Sequence, residues 1–175
     1  MTKTYFNTKL KKLNLGCGRD IRKDYVNIDF TKMPGVDVVH DLNKFPYPFK
    51  DNMFEEVECR HVICLLDDPV KIMEELHRIC KDGAIIKIFD VYYNCSSPGN
   101  DPYLKRTFNE NSFNWLDKTY STGYYTAKHF KILKRELIPT RLGKMIPRFM
   151  RKTTSIVIGE VIKNVYFEIQ VVKKN

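Results

Sequence analysis

An apolar run that stops at a glycine turn, followed seven residues later by a second apolar run that stops at a carboxylate, fixes most of what this chain can fold into. The first run is Leu13-Asn14-Leu15, ending in Gly16-Cys17-Gly18; the second is Val26-Asn27-Ile28, ending in Asp29. Glycine has no Cβ and tolerates φ > 0, so backbone N–H groups in such a turn approach a ligand closely. A carboxylate at the tip of the next strand accepts hydrogen bonds from the two hydroxyls of a ribose. The pattern predicts a parallel sheet with a nucleoside-containing ligand at its carboxyl edge. Only eight residues separate Gly18 from Asn27. A helical crossover wants about a dozen, so the first helix is shortened to a turn or replaced by loop.

Further strands are expected at 36–42, 55–60, 84–91, 130–137 and 165–173. One helix is clearly signalled: Asp68 as N-cap, Pro69 at the first helical position, an apolar stripe of Ile72, Leu76, Ile79 and Cys80, and Gly83 to close it. A short helix is expected around 110–116. A basic amphipathic helix is expected over 141–152, where Leu142, Met145, Ile146, Phe149 and Met150 fall on one face and Pro147 should kink it. The sum is one α/β domain over 1–175: a mostly parallel, seven-stranded sheet with an antiparallel last strand and a basic helical insertion at about 138–164.

The net charge of +9 lies entirely in the last 49 residues, which hold 12 Lys/Arg against 3 Asp/Glu. Residues 1–126 balance at 18 of each. Such asymmetry calls for an anionic partner at that end, RNA or a membrane surface. The five cysteines are scattered without CxxC spacing or a His/Cys cluster, so no zinc site and no disulfide framework is expected. The polar start of the chain and the absence of a long apolar run point to a cytoplasmic protein, at most peripheral to a membrane.

From residue 10 to 91 the chain resembles the class I S-adenosylmethionine-dependent methyltransferases of the small type 11 kind. The matching pieces are Leu13 to Gly18, Asn27-Ile28-Asp29, His40-Asp41-Leu42, Phe45 to Asp51 and Glu74 to Gly83. The resemblance implies a Rossmann-like methyltransferase fold and S-adenosylmethionine as cofactor, with no metal. It implies that Asn14, Gly16, Cys17 and Gly18 line the methionine part, that Asp29 takes the ribose hydroxyls and that Asp41 and Leu42 meet the adenine. Backbone near Arg60 and His61 would close over the methionine end. Two positions depart from the family: Ile63-Cys64-Leu65 replaces Leu-Glu-His, and Leu104 stands where a His is common.

Beside each functional reading stands a structural one. Asp41 is an adenine contact or a turn former; Cys17 is a small filler before it is a nucleophile. His61 is the candidate base, since an oxygen acceptor must lose a proton, or else it caps a strand. His40 and His129 are weaker candidates, and His77 reads as a helix-face residue. The aromatic stretch Tyr92-Tyr93, Tyr103, Trp115, Tyr120, Tyr124-Tyr125 walls an acceptor pocket or packs the core. Lys105 and Arg106 hold an anionic acceptor or form a solvated pair. The reading that unites these is methylation at oxygen or nitrogen of a small-molecule or glycan-type acceptor. The alternatives are an RNA methyltransferase using the basic end, or a non-catalytic cofactor-binding scaffold of the same fold.

Overall fold

A computed structural model describes residues 5–119 and 124–173. Its core is a seven-stranded sheet. The strands are β1 (Lys12–Leu15), β2 (Val26–Asp29), β3 (Val38–Val39), β4 (Phe54–Arg60), β5 (Cys80–Val91), β6 (His129–Pro139) and β7 (Ile162–Val172). Their spatial order is β3-β2-β1-β4-β5-β7-β6. The first five in chain order pair in parallel, and β7 runs antiparallel to both β5 and β6. The sheet is therefore Rossmann-like with the expected antiparallel finish. Central β1 places Leu13 beside Val26 on one side and Val57 on the other. Its Leu13 and Leu15 are fully buried, as are Val26 and Ile28 of β2, and the asparagine between each pair is nearly as inaccessible.

No helix joins β1 to β2. A buried amide network does that work. Asn14, on β1, donates from Nδ2 to the Asp20 carbonyl at 2.6 Å and to Asn27 Oδ1 at 3.1 Å. Asn27 Oδ1 also accepts from the Arg22 N–H at 3.0 Å, and its Nδ2 donates to the Arg22 carbonyl at 3.0 Å. The Asp37 carboxylate accepts from the Asn27 N–H at 2.7 Å and thereby fixes the approach to β3. Both asparagines are nearly inaccessible, at 2% and 3% exposure. The loop thus satisfies its polar backbone through side chains instead of a helical ladder.

Helix α1 (Pro69–Ile79) begins as expected, with the Asp68 carboxylate accepting from the N–H groups of Val70 and Lys71. It ends earlier than the sequence suggests. Cys80 is already extended and opens β5, and Gly83 falls inside that strand, where the register with β4 slips. Helix α1 also pins the loop after β3. Glu75 accepts from the Tyr47 N–H, Arg78 donates to the carbonyls of Tyr47 and Phe49, and the Tyr47 hydroxyl donates to the Leu42 carbonyl at 3.0 Å.

The expected helix over 110–116 is only a single 3-10 turn at Asn114–Leu116. The helix expected over 141–152 is two pieces, α2 (Arg141–Met145) and α3 (Arg151–Ile158), split around Pro147. Gly143 lets α2 lie directly on the chain entering β7: a Cβ there would stand 1.9 Å from the Val161 carbonyl oxygen. Helix α2 meets the body through this glycine and leaves Met145 83% exposed and Leu142 half-exposed, while Ile146 at its end packs against the core.

Candidate functional site

The carboxyl ends of β1, β2, β4 and β5 gather almost every residue singled out by sequence. Gly16 and Gly18 both have left-handed backbones, with φ of 64° and 50°. They do different work. A Cβ on Gly16 would lie 2.3 Å from Val62 Cγ2, so this glycine admits the turn that follows β4. A Cβ on Gly18 would meet nothing within 4 Å, so this position faces open space. The Gly18 N–H donates to Asp29 Oδ2 at 2.9 Å, and the Thr31 N–H donates to Oδ1 at 2.9 Å. The Asp29 carboxylate is thus clamped between two backbone donors while each oxygen keeps an unused lone pair. Phe30, the next residue, turns its ring outward at 75% exposure. Sequence reasoning passed over Phe30; its signal was an aromatic placed directly after a strand-ending acid.

Asn14 and Cys17 are withdrawn from this surface. Asn14 belongs to the buried amide network. Cys17 is 4% exposed, its N–H donates to the Ile28 carbonyl, and burial with the nearby Asp29 charge pushes its thiol up to about 11. It is a packing residue, in accord with the filler reading. Asp41 is exposed; its Oδ1 accepts from the Asn43 N–H at 3.0 Å, and Lys44 Nζ stands 3.6 Å from Oδ2. Leu42 is buried beneath it. His40 is held by the Lys44 carbonyl at 2.8 Å and by the edge of Tyr47.

At the end of β4, His61 takes a left-handed backbone, φ 50°, and its N–H donates to the Phe89 carbonyl at 2.9 Å. Its ring packs edge-on against Phe89 and is about half exposed, with Nδ1 4.0 Å from Asp90 Oδ1. Burial lowers its pKa, as do Arg60 and Lys163, while Asp90 opposes them. The imidazole is therefore neutral at neutral pH and able to accept a proton. Arg60 lays its guanidinium over the Phe89 ring at 5.0 Å and donates to Glu58, so its side chain braces the strand end beside His61.

Asp90 is the residue that sequence reasoning missed outright. It is fully buried at the end of β5, accepting from the N–H groups of Val91 at 2.9 Å and Cys64 at 3.1 Å. Burial raises its pKa, and those hydrogen bonds together with His61 pull it back. Read along the chain, it is one acid at the end of an apolar strand. Only the parallel pairing of Arg60 with Phe89 shows that it stands under His61. Cys64, at the position where the type 11 pattern has Glu, packs against this carboxylate, which together with burial drives its thiol pKa upward.

The expected acceptor-side residues divide. Tyr92 is buried and tilts against Tyr93 at 4.8 Å, whereas Tyr93 is 47% exposed. Lys105 and Arg106 both have partners within the chain. Arg106 donates to the carbonyls of Ile63 at 2.9 Å, Asp67 at 2.7 Å and Leu66, and Lys105 pairs with Asp67. Arg106 is spent on the carbonyls of the turn after β4, while Lys105 forms an exposed ion pair with the Asp67 carboxylate. Tyr103 and Tyr124 are exposed, Trp115 meets the edge of Tyr125, and Tyr120 lies outside the described residues. His77 is a core residue against Phe130. His129 borders a hollow of about 310 Å³ at the opposite, amino edge of β5, with Asp117 and Val172. Among the described residues no three His, Cys, Asp or Glu side chains gather as metal ligands.

Residues 16–88 match the family model described as a methyltransferase domain. Cycloartenol-C-24-methyltransferase 1 of Oryza sativa subsp. japonica is 32% identical over 98 residues, which is 56% of this chain and 24% of that protein. The chain thus spans about a quarter of that curated relative. The fold of the [4+2]-cyclase SpnF superposes on 98% of this chain and 78% of that one, with a TM-score of 0.61 at 15% identity. YcgJ of Bacillus subtilis does so over 94% and 92%, with a TM-score of 0.58 at 12% identity. Residues 16–88 are thus similar to a methyltransferase domain, and the chain shares its Rossmann-like sheet with these structures.

Proposed function

We propose that the chain binds S-adenosylmethionine at the carboxyl edge and methylates an oxygen or nitrogen of a small-molecule or glycan-type acceptor. Fold alone does not carry this, since one protein of the same architecture is named a cyclase. The observation that carries it is Asp29: a buried carboxylate, clamped by Gly18 and Thr31, with lone pairs left over at the open end of the sheet. That arrangement suits a ribose diol. Phe30 offers an aromatic face beside it, and Asp41 an exposed acceptor for an adenine amino group.

When bound, the cofactor supplies an electrophilic methyl group. The protein's part is alignment and proton removal. His61, neutral at the tip of β4, takes the proton from an acceptor hydroxyl or ammonium at its ring nitrogen. Asp90 acts through His61, steadying the imidazolium that this creates. Tyr93 presents its exposed ring on the same edge, a surface on which a sugar or other flat acceptor rests.

Calorimetry with S-adenosylmethionine tests the reading. The Asp29→Asn variant keeps the shape and one acceptor oxygen but loses the charge. Hydrogen bonds to a charged group are worth about 1.5–3 kcal/mol, so affinity should fall by about 10–100-fold. An unmodified chain that gives no heat with this cofactor removes the proposal. An Asp29→Asn affinity equal to that of the unmodified chain removes Asp29 from it.

A further inference from the structure

The basic segment between β6 and β7 is the largest feature that methyl transfer leaves unexplained. Residues 141–158 contain no acidic side chain. Five large apolar side chains there are mostly in water: Met145 at 83%, Phe149 at 84%, Ile156 at 63%, Val157 at 81% and Ile158 at 65% exposure. Arg141, Lys144, Arg148 and Lys152 are exposed among them. So much bulky apolar surface on one stretch marks an interaction site rather than ordinary surface scatter.

Its position is set by the sheet. Pro139 pairs with Ile162, and Val91 pairs with Asn164, so α2 and α3 stand at the same carboxyl edge as His61 and Asp29. The segment is tied to that edge: Asn94 donates to the Ser155 carbonyl, and Lys152 pairs with Glu110.

We infer that residues 141–158 dock the domain onto an anionic lipid surface, apolar side chains entering the headgroup boundary and the cations meeting lipid phosphates. Charge complementarity selects this occupant. A second copy of the same acid-free face would repel itself in a two-fold pairing. RNA would be held by the cations but gains nothing from Met145, Ile156, Val157 and Ile158, since it is bound through phosphate contacts and aromatic stacking. A bilayer interface uses both kinds of side chain, and long basic side chains reach the headgroups while apolar ones sink below them. Docked this way, the carboxyl edge faces the membrane, so acceptors at the headgroup layer lie within reach. The inference goes beyond methyl transfer and is tested without cofactor.

The test is co-sedimentation of the full chain with vesicles of phosphatidylcholine alone and of phosphatidylcholine mixed with phosphatidylglycerol. Binding should appear with the anionic mixture, be absent with phosphatidylcholine alone and weaken as salt rises. Replacing Arg141 and Lys144 together by Gln should weaken partitioning about thirtyfold, since each basic residue near such a surface contributes about a fivefold factor. Replacing Met145 and Phe149 by Glu should abolish it. All four side chains are exposed, and an unchanged melting temperature establishes that the variants fold. No co-sedimentation with anionic vesicles overturns the inference, as does binding that survives the Glu replacements. Salt-sensitive binding of polyuridylate without vesicle binding reassigns the surface to RNA. A concentration-dependent dimer in sedimentation velocity that Phe149→Glu dissolves reassigns it to a second copy.

Discussion

Asn27→Ala should destabilise the domain by about 3–5 kcal/mol, the sum of several buried polar groups left unpaired at about 1–3 kcal/mol each. Asn27 is the hub between β1, β2 and the loop that replaces the first helix. Its amide meets Asn14 Nδ2, the Arg22 N–H and the Arg22 carbonyl, and its Nδ2 also lies 3.2 Å from Asp37 Oδ2. Truncation strips those partners at a position with 3% exposure, too enclosed for bulk water to replace them. In urea the midpoint should move down with an unchanged slope, because the surface exposed on unfolding is nearly the same. Asn27→Asp separates shape from bonding. It keeps an acceptor for Asn14 and Arg22 but loses the Nδ2 bonds to the Arg22 and Tyr25 carbonyls and to Asp37, and sets a second carboxylate against Asp37, so it should be destabilising as well. An Asn27→Ala variant within about 0.5 kcal/mol of the unmodified chain, the range of ordinary surface substitutions, would show that the network does not hold the crossover.

That network explains which parts of the fold were legible in sequence. β1 and β2 are legible because Leu13 with Leu15 and Val26 with Ile28 stand directly before a glycine turn and a strand-ending acid. The missing first helix was readable from chain length alone. What replaces it was not, because Asn14, Asn27 and Asp37 are far apart in sequence and polar residues between strands read as solvated loop. The end of α1 was misplaced for a similar reason. Gly83 looked like a terminator, but parallel pairing with β4 captures the chain from Cys80 onward. Pairing partners override local punctuation there.

The site shows the same division. Gly18, Asp29 and His61 stand at or just past the ends of their own strands, a placement that local sequence carries. An environment that comes from another strand is not carried that way. Arg106 reads as a free charge because nothing near it in sequence reveals the carbonyls of Ile63, Leu66 and Asp67 that it meets. Asp90 read as nothing because its partners, His61 and Cys64, are more than two dozen residues away. The apolar face of the 141–152 segment was equally suited to cover the sheet or to stay open. The structure divides it: Ile146 packs against the core, whereas Met145 and Phe149 stay open.

His61→Ala should lower kcat by about 10²–10⁴-fold, the usual contribution of a positioned general base, while the affinity for S-adenosylmethionine changes little. The pH dependence carries more information than the loss itself. Burial lowers the His61 pKa below its ordinary 6.5. The neutral form is the active base, so kcat should be flat above that value and fall as the pH drops through the lowered pKa. Asp90 is the one group that pushes the His61 pKa upward. In Asp90→Asn that support is gone, so the acid limb should move to still lower pH as the rate falls. A merely structural role for Asp90 would lower the rate or the stability without moving the limb. If His61→Ala retains the rate and its acid limb, the proton leaves by another route, and His61 is the strand cap that its left-handed backbone and its bond to Phe89 also allow.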